Sequence, residues 1–216
     1  MTAVLSPHKT MAEERIVLHG ISWQTYERIL EDLADRSVPH LTYDQGELEI
    51  MSPTAKHEFV TRIIETLVSI VSEEMRVEMT SLGSTTFKRE DLEKGFEPYC
   101  CFYFANAALV RVKESIDPLV DPPPDLLFEV DITSSSIDKQ AIFATFNVPE
   151  IWRYNGAGME ILHLVRGSYV KREASQFFQF ITSSVLTTLV AESFTLDRLE
   201  WVPKVREWVR AQKAIG

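Results

Sequence analysis

Residues 125–132 read Asp-Leu-Leu-Phe-Glu-Val-Asp-Ile, and their alternation is the strongest chemical signal in the chain. Side chains along a strand point alternately to opposite faces. Leu126, Phe128, Val130 and Ile132 then share an apolar face, and Asp125, Glu129 and Asp131 share the other with Leu127. Neighbouring carboxylates raise one another's pKa, and burial adds to the effect. A divalent cation or a lysine would make such a row tolerable, and hard cations such as Mg²⁺ take oxygen ligands of this kind. An edge strand with its acidic face in water would carry the same residues, so the pattern alone leaves both readings open.

Eight residues past Asp131, Lys139 falls in the first turn of an expected helix. Helix starts usually favour acids, because the macrodipole is positive there. In a strand–loop–helix unit the Lys139 ammonium can reach back over the acidic strand. Beside a metal-bound water it would be a general base or a charge stabiliser; a solvated surface lysine is the commoner case. Upstream, Glu47 and Glu49 stand on a hairpin, and His57 and Glu58 stand in the first turn of the helix that follows. A Glu or His there could complete a metal site or orient a water. Half-exposed strands and helix starts carry acids routinely, however, and His57 lacks a second His or Cys at zinc-ligand spacing.

Other chemistries are poorly served. Ser134-Ser135-Ser136 lies in no G-x-S-x-G context and reads as a helix N-cap cluster. Eight glycines form neither G-x-G-x-x-G nor a phosphate-cradling loop. Cys100 and Cys101 are adjacent, so on a strand they face opposite ways, and no C-x-x-C exists. Disulfide scaffolds and thiol redox motifs are excluded.

The elements that must position these residues follow from periodicity. Residues 1–20 read as a loose arm. A helix is expected after Ser22 as N-cap, with Tyr26, Ile29, Leu30 and Leu33 on one face. Residues 41–50 read as a hairpin turning at Asp44-Gln45-Gly46. Val60, Ile63, Ile64, Leu67, Ile70 and Val71 make an apolar stripe at helical spacing, which predicts a long helix from Thr54 to about Arg76 with His57, Glu58 and Glu65 off the stripe. Strands are expected over 80–88 and 100–105 around a charged loop at 89–95, then a proline-forced loop over 117–124, the acidic strand, and a helix over 137–146. A strand at 151–154 and a hairpin over 159–172 come next, with short helices at 184–190 and 205–213. The Trp201–Trp208 tail, with Arg206 and Arg210, reads as a packing helix. This order predicts a single α/β (α+β) domain over about 21–200 with a mixed sheet, followed by a C-terminal helix over 201–216.

Composition is that of a globular protein: 216 residues, 45% hydrophobic and 25% charged. The net charge of −10 repels polyanions on average and argues against strong non-specific nucleic-acid binding. No signal-like apolar segment and no run of about 18 apolar residues occurs. A cytoplasmic protein with no membrane partner is expected.

Several motifs taken together resemble the Uma-two family of restriction-endonuclease-like domains, in the PD-(D/E)XK nuclease-like superfamily. They are Gly46-Glu47-Leu48-Glu49-Ile50-Met51-Ser52-Pro53, His57, the run from Pro124 through Asp125, Glu129 and Asp131 to Ser134, Asp138-Lys139, and Val148-Pro149-Glu150-Ile151-Trp152-Arg153-Tyr154. The resemblance covers roughly residues 20–200. It implies a restriction-endonuclease-like core, a mixed central sheet flanked by helices, and hydrolysis of phosphodiester bonds with Mg²⁺ or Mn²⁺. By carry-over, Glu129 and Asp125 are metal ligands with Asp131 beside them, Lys139 is the catalytic lysine, and Glu47 is a further candidate. DNA and a second copy of the chain are the implied partners. Two departures stand out. Asp131 occupies the usual lysine position of the (D/E)XK element, and Tyr99 follows Glu97-Pro98 where the family has Asp. A phenol is neutral at pH 7 and a poor Mg²⁺ ligand. The departure therefore also predicts the alternative of a catalytically degenerate binding or regulatory module.

Overall fold

The computed structural model describes residues 14–33, 38–132 and 137–213. Its centre is a six-stranded mixed sheet built from β4 (Thr80–Gly83), β7 (Cys100–Tyr103), β8 (Leu126–Val130), β9 (Glu150–Tyr154), β10 (Met159–Val165) and β11 (Ser168–Arg172), ordered β11-β10-β9-β8-β7-β4. β8 and β9 run parallel, joined by the crossover helix α4 (Lys139–Thr145); the other pairs in this sheet are antiparallel. A parallel pair needs such a crossover, and the pair comes out buried on both sides. β8 is buried along its whole length.

The helix α2 (Ala55–Met75) lays Val60, Ile64, Leu67, Val68 and Val71 on one face of this sheet, against Phe128, Val130 and Trp152. The C-terminal helices α5 (Ser183–Ser193) and α6 (Arg198–Lys213) close the same core through Leu186, Trp201, Val205 and Val209. Burying one such large side chain removes enough apolar surface to contribute roughly 1.5–3 kcal/mol. On the opposite face, Leu127, Ile151 and Leu162 meet Ile142 and Phe143 of α4. The adjacent cysteines divide as alternation requires, Cys100 into the first core and Cys101 into the second, both free.

A second, antiparallel sheet has the order β1-β3-β2-β6-β5. It comprises β1 (Glu14–His19), β2 (His40–Asp44), β3 (Glu47–Ser52), β5 (Phe87–Arg89) and β6 (Lys94–Phe96). β2 and β3 turn through Gln45 and Gly46, both at positive φ, as a two-residue hairpin favours. The helix α1 (Trp23–Asp32) begins at the expected cap, Ser22, whose hydroxyl accepts from the Thr25 N–H, and packs Trp23 and Tyr26 on Leu41, Tyr43 and Leu48. Gly95 is required where it stands, because a Cβ there would fall 2.3 Å from the Tyr26 hydroxyl.

The structure departs from the sequence reading in definite places. Residues 14–19, inside the expected loose arm, form β1 by pairing with β3. The expected strand over 80–88 is two strands in different sheets, and the charged loop after it contains β6. Hydrophobic periodicity in segments this short does not say which sheet receives them. Asp138 caps α4 through the Ala141 N–H, and Ser134-Ser135-Ser136 lie outside the described residues. A short helix at 107–110, α3, was not expected at all. α6 starts at Arg198, earlier than expected, and carries Pro203 within its first turns. No described helix is long and apolar enough to cross a membrane.

Candidate active site

The carboxyl end of β8 and the start of α4 bring Glu129 and Lys139 together. Lys139 Nζ lies 3.8 Å from Glu129 Oε2 and 3.5 Å from Glu49 Oε1. Glu49 comes from the second sheet, where β3 alternates Leu48 toward α1 and Glu49 toward the β8 terminus; both are fully buried. Arg15 of β1 holds the other Glu49 oxygen at 2.9 Å. Pairing of β1 with β3 sets Arg15 opposite Met51, so its guanidinium reaches Glu49 diagonally along the shared face. Two buried carboxylates are thus met by two cations, and each of the four groups comes from a different element.

Glu129 is 5% exposed, and burial pushes its carboxyl up to about 7. Lys139 and the Tyr99 N–H, which donates to Glu129 Oε1 at 3.4 Å, pull the other way, while Asp131 and Glu49 add to the rise. A carboxyl near 7 can hold or release a proton at neutral pH, which a general base or acid requires.

Tyr99 occupies the position where the motif calls for Asp. Its ring is buried between the imidazoles of His40 and His57, at centroid distances of 5.0 and 5.9 Å, and its hydroxyl donates to the Met51 sulfur at 3.5 Å. The phenol is thus packed as a hydrophobe. His57, placed off the apolar stripe by its spacing, is buried. Its Nδ1 accepts from the Thr54 N–H and meets the Thr54 hydroxyl, so it caps α2. Burial pushes His40 down to about 4, with Lys139 as a further cause, and its Nδ1 finds no hydrogen-bond partner among the described residues.

The remaining sequence candidates are engaged by other partners. The Asp125 carboxylate accepts from the N–H groups of Phe104 and Ala105, at 2.6 and 2.9 Å, and ties β7 to the loop before β8. Asp131 pairs with Arg153 at 3.6 Å. Glu47 is half exposed and pairs with His19 at 3.1 Å. Glu49, two residues on and on the same face, stands at Lys139 instead. The available signal was distance from the turn: alternation puts Glu47 and Glu49 on one face, and the residue farther from the hairpin tip reaches deeper. Arg15 had no sequence signal, since its segment read as an arm. Burial pushes Cys101 up to about 12 and raises Cys100 strongly, so neither thiol suits nucleophilic chemistry.

The donor set suits a divalent cation in a limited way. Glu49 and Glu129 offer hard oxygens that both approach the Lys139 ammonium, and Mg²⁺ is commonly held by one or two carboxylates with water and substrate phosphate completing the shell. Among the described residues there is no group of three or more His, Cys, Asp or Glu that could hold a metal.

A cleft of about 350 Å³ opens beside these groups, between α4 and the sheet, with Arg15, Glu129, Lys139 and Arg153 on its wall. In comparison with known families, the Uma2 model, described as "Putative restriction endonuclease", matches residues 23–196. No curated protein matches the chain. β1, with Arg15, precedes the matched span, and α6 follows it.

Proposed function

Since the chain belongs to the Uma2 family, we propose that it hydrolyses phosphodiester bonds of nucleic acid with Mg²⁺ or Mn²⁺, at a site made of Glu129, Glu49 and Lys139. The observation that carries this reading is the single ammonium of Lys139 shared by two buried carboxylates at the carboxyl end of a parallel strand pair. Ligands of open α/β sheets bind at such strand ends.

Glu129 and Glu49 would hold the cation, which supplies Lewis-acid activation of the phosphoryl group and of water. Lys139 donates hydrogen bonds to the phosphoryl oxygens as negative charge develops on them. Glu129, with its carboxyl near 7, accepts a proton at Oε2 when the cation does not claim that oxygen. Arg15 keeps Glu49 oriented through a charge-assisted hydrogen bond. The reading gives Asp125 the structural task of joining β7 to β8 and leaves Asp131 as a neighbour that biases Glu129.

The test is cleavage of plasmid and of labelled oligonucleotides with Mn²⁺ by wild type, Glu129→Gln, Glu49→Gln and Lys139→Ala. Loss of at least about 100-fold in each variant is expected for groups acting on the transition state. Equal activity in all four proteins would overturn the site.

One observation favours a second reading, a catalytically degenerate nuclease-fold module. It is the Tyr99 ring, buried between His40 and His57 at the position where the resemblance expects Asp. An inactive wild type that gains cleavage on Tyr99→Asp would select this reading.

A further inference from the structure

The span that matches the family begins at residue 23, so β1 and its Arg15 lie before it. Yet the Arg15 guanidinium stands 2.9 Å from Glu49 Oε2, while Lys139 stands 3.5 Å from Glu49 Oε1. The pair is buried, with the Arg15 side chain 12% exposed and that of Glu49 1%, so dissolved salt screens it little. Both oxygens of a proposed cation ligand are therefore already faced by positive groups. With Glu129 beside Lys139, two carboxylates are met by two cations before any divalent ion arrives.

We propose that Arg15 sets the divalent-cation affinity of this site: the contact that orients Glu49 also opposes the cation, so docking of β1 and binding of the cation each weaken the other. The proposal rests on the reading of Glu49 and Glu129 as cation ligands, and it adds a residue that regulates them from outside the matched span.

Electrostatics supports it. A unit positive charge about 6 Å from a divalent ion lowers that ion's affinity about tenfold even at the dielectric of water, and by more in a buried place. A neutral amide at the same position could hold the Glu49 oxygen without this repulsion, so orientation alone does not call for a guanidinium.

The build of β1 supports it as well. β1 is an edge strand that pairs on one side only, with β3. None of its residues is buried, and Ile16 and Leu18 are 58% and 37% exposed. An element with so few buried apolar contacts opens at a small cost in free energy. Arg15 is thus carried by a strand that can be released without opening a core, whereas Glu49 stays on β3, between β1 and β2. Linkage makes the effect reciprocal: if docked Arg15 weakens the cation, the bound cation loosens β1 by the same factor.

The experiment is calorimetric titration of Mn²⁺ into the full chain as wild type, Arg15→Gln, Arg15→Lys, Glu129→Gln and the Arg15→Gln/Glu129→Gln double variant. Arg15→Gln should bind Mn²⁺ about tenfold or more tighter than wild type. Arg15→Lys, which keeps the charge, should stay near wild type, and the double variant should lose the gain. Were Arg15 only an orienting group, Arg15→Gln would bind equally or more weakly, and that result overturns the proposal. Hydrogen exchange needs no variant: the wild-type amides of residues 14–19 should exchange several-fold faster at saturating Mn²⁺ than without it. Equal or slower exchange overturns the proposal whether or not Arg15→Gln folds. The two readings separate. Mn²⁺ that binds wild type but not Glu129→Gln, with no gain in Arg15→Gln, keeps the hydrolytic site and defeats the coupling. A tenfold gain in a protein that cuts no nucleic acid keeps the coupling and defeats the hydrolase. Absence of Mn²⁺ binding in every protein defeats both.

Discussion

Lys139 Nζ stands 3.5 Å from one buried carboxylate, Glu49, and 3.8 Å from another, Glu129, whose strands belong to different sheets. The ammonium is an electrostatic joint between the two halves of the fold, independent of any chemistry it performs. Removing it leaves Glu129 without its cation in a low-dielectric site and leaves Glu49 with Arg15 as its remaining cation among the described residues. Lys139→Met is expected to destabilise the protein by about 3 kcal/mol at pH 8, the scale for breaking a buried pair. The loss should shrink at pH 5, where Glu129 is protonated. Urea titrations at the two pH values check this, and an equal loss at both would rule the joint out.

Glu129 and His40 give opposite pH dependences over nearly the same range. The folded-state carboxyl of Glu129, near 7, lies above its ordinary 4.5, so the native state binds more protons between those values and stability falls as pH rises through them. The folded-state imidazole of His40, near 4, lies below its ordinary 6.5, so the unfolded state binds more protons and stability falls as pH drops. Each contribution is about 3 kcal/mol, and between pH 4.5 and 6.5 they nearly cancel. Glu129→Gln should therefore lose stability on acidification below 6.5 and exceed wild type above pH 7. His40→Phe should instead gain stability on acidification. Chemical denaturation across pH 4–8 reads both slopes, and parallel profiles for the two variants would contradict the assignment.

Tyr99→Asp should convert the position into a third carboxylate near Glu129. Without divalent cations the variant should melt below wild type, because like charges are forced together in a buried place. With Mn²⁺ it should recover more than wild type does, by an amount that grows with concentration; saturation a hundredfold above Kd is worth about 2.7 kcal/mol. Thermal melts with and without Mn²⁺ measure this, and identical Mn²⁺ shifts in the two proteins would count against a metal at Glu129.

The C-terminal helix lies outside the span that matches the family, yet it supplies core. Trp201 is 1% exposed, and its indole N–H donates to the Leu189 carbonyl at 2.8 Å. Arg206 and Arg210 grip Glu74 at the end of α2. A chain ending at Leu196 should fail to fold, and Trp201→Ala should cost about 3–5 kcal/mol. Circular dichroism melts decide both, and a cooperative melt of the shortened chain would show that the matched span is self-sufficient.

The sequence by itself determined the elements whose periodicity is long or whose turns are chemically marked. These are α2 from its apolar stripe, the β2–β3 hairpin from Gln45-Gly46, β8 from its alternation, and the strand–helix unit that puts Lys139 after Glu129. Tertiary structure decided what those patterns cannot encode. Periodicity shows that a face is buried but not what it is buried against. Hence Glu47 looked equivalent to Glu49, although only the deeper one reaches Lys139 among the described residues. Short segments at 14–19, 87–89 and 94–96 carry too few residues for a period; pairing with the distant strands β3 and β2 made β1 and β6 sheet, and β5 joined at the edge by pairing with β6. Asp125 shares a face with Glu129, but two N–H groups of the neighbouring segment claimed its carboxylate. Glu49, Glu129 and Lys139 come together because two sheets meet at the end of β8, and contacts between residues so far apart in the chain leave no mark on local spacing.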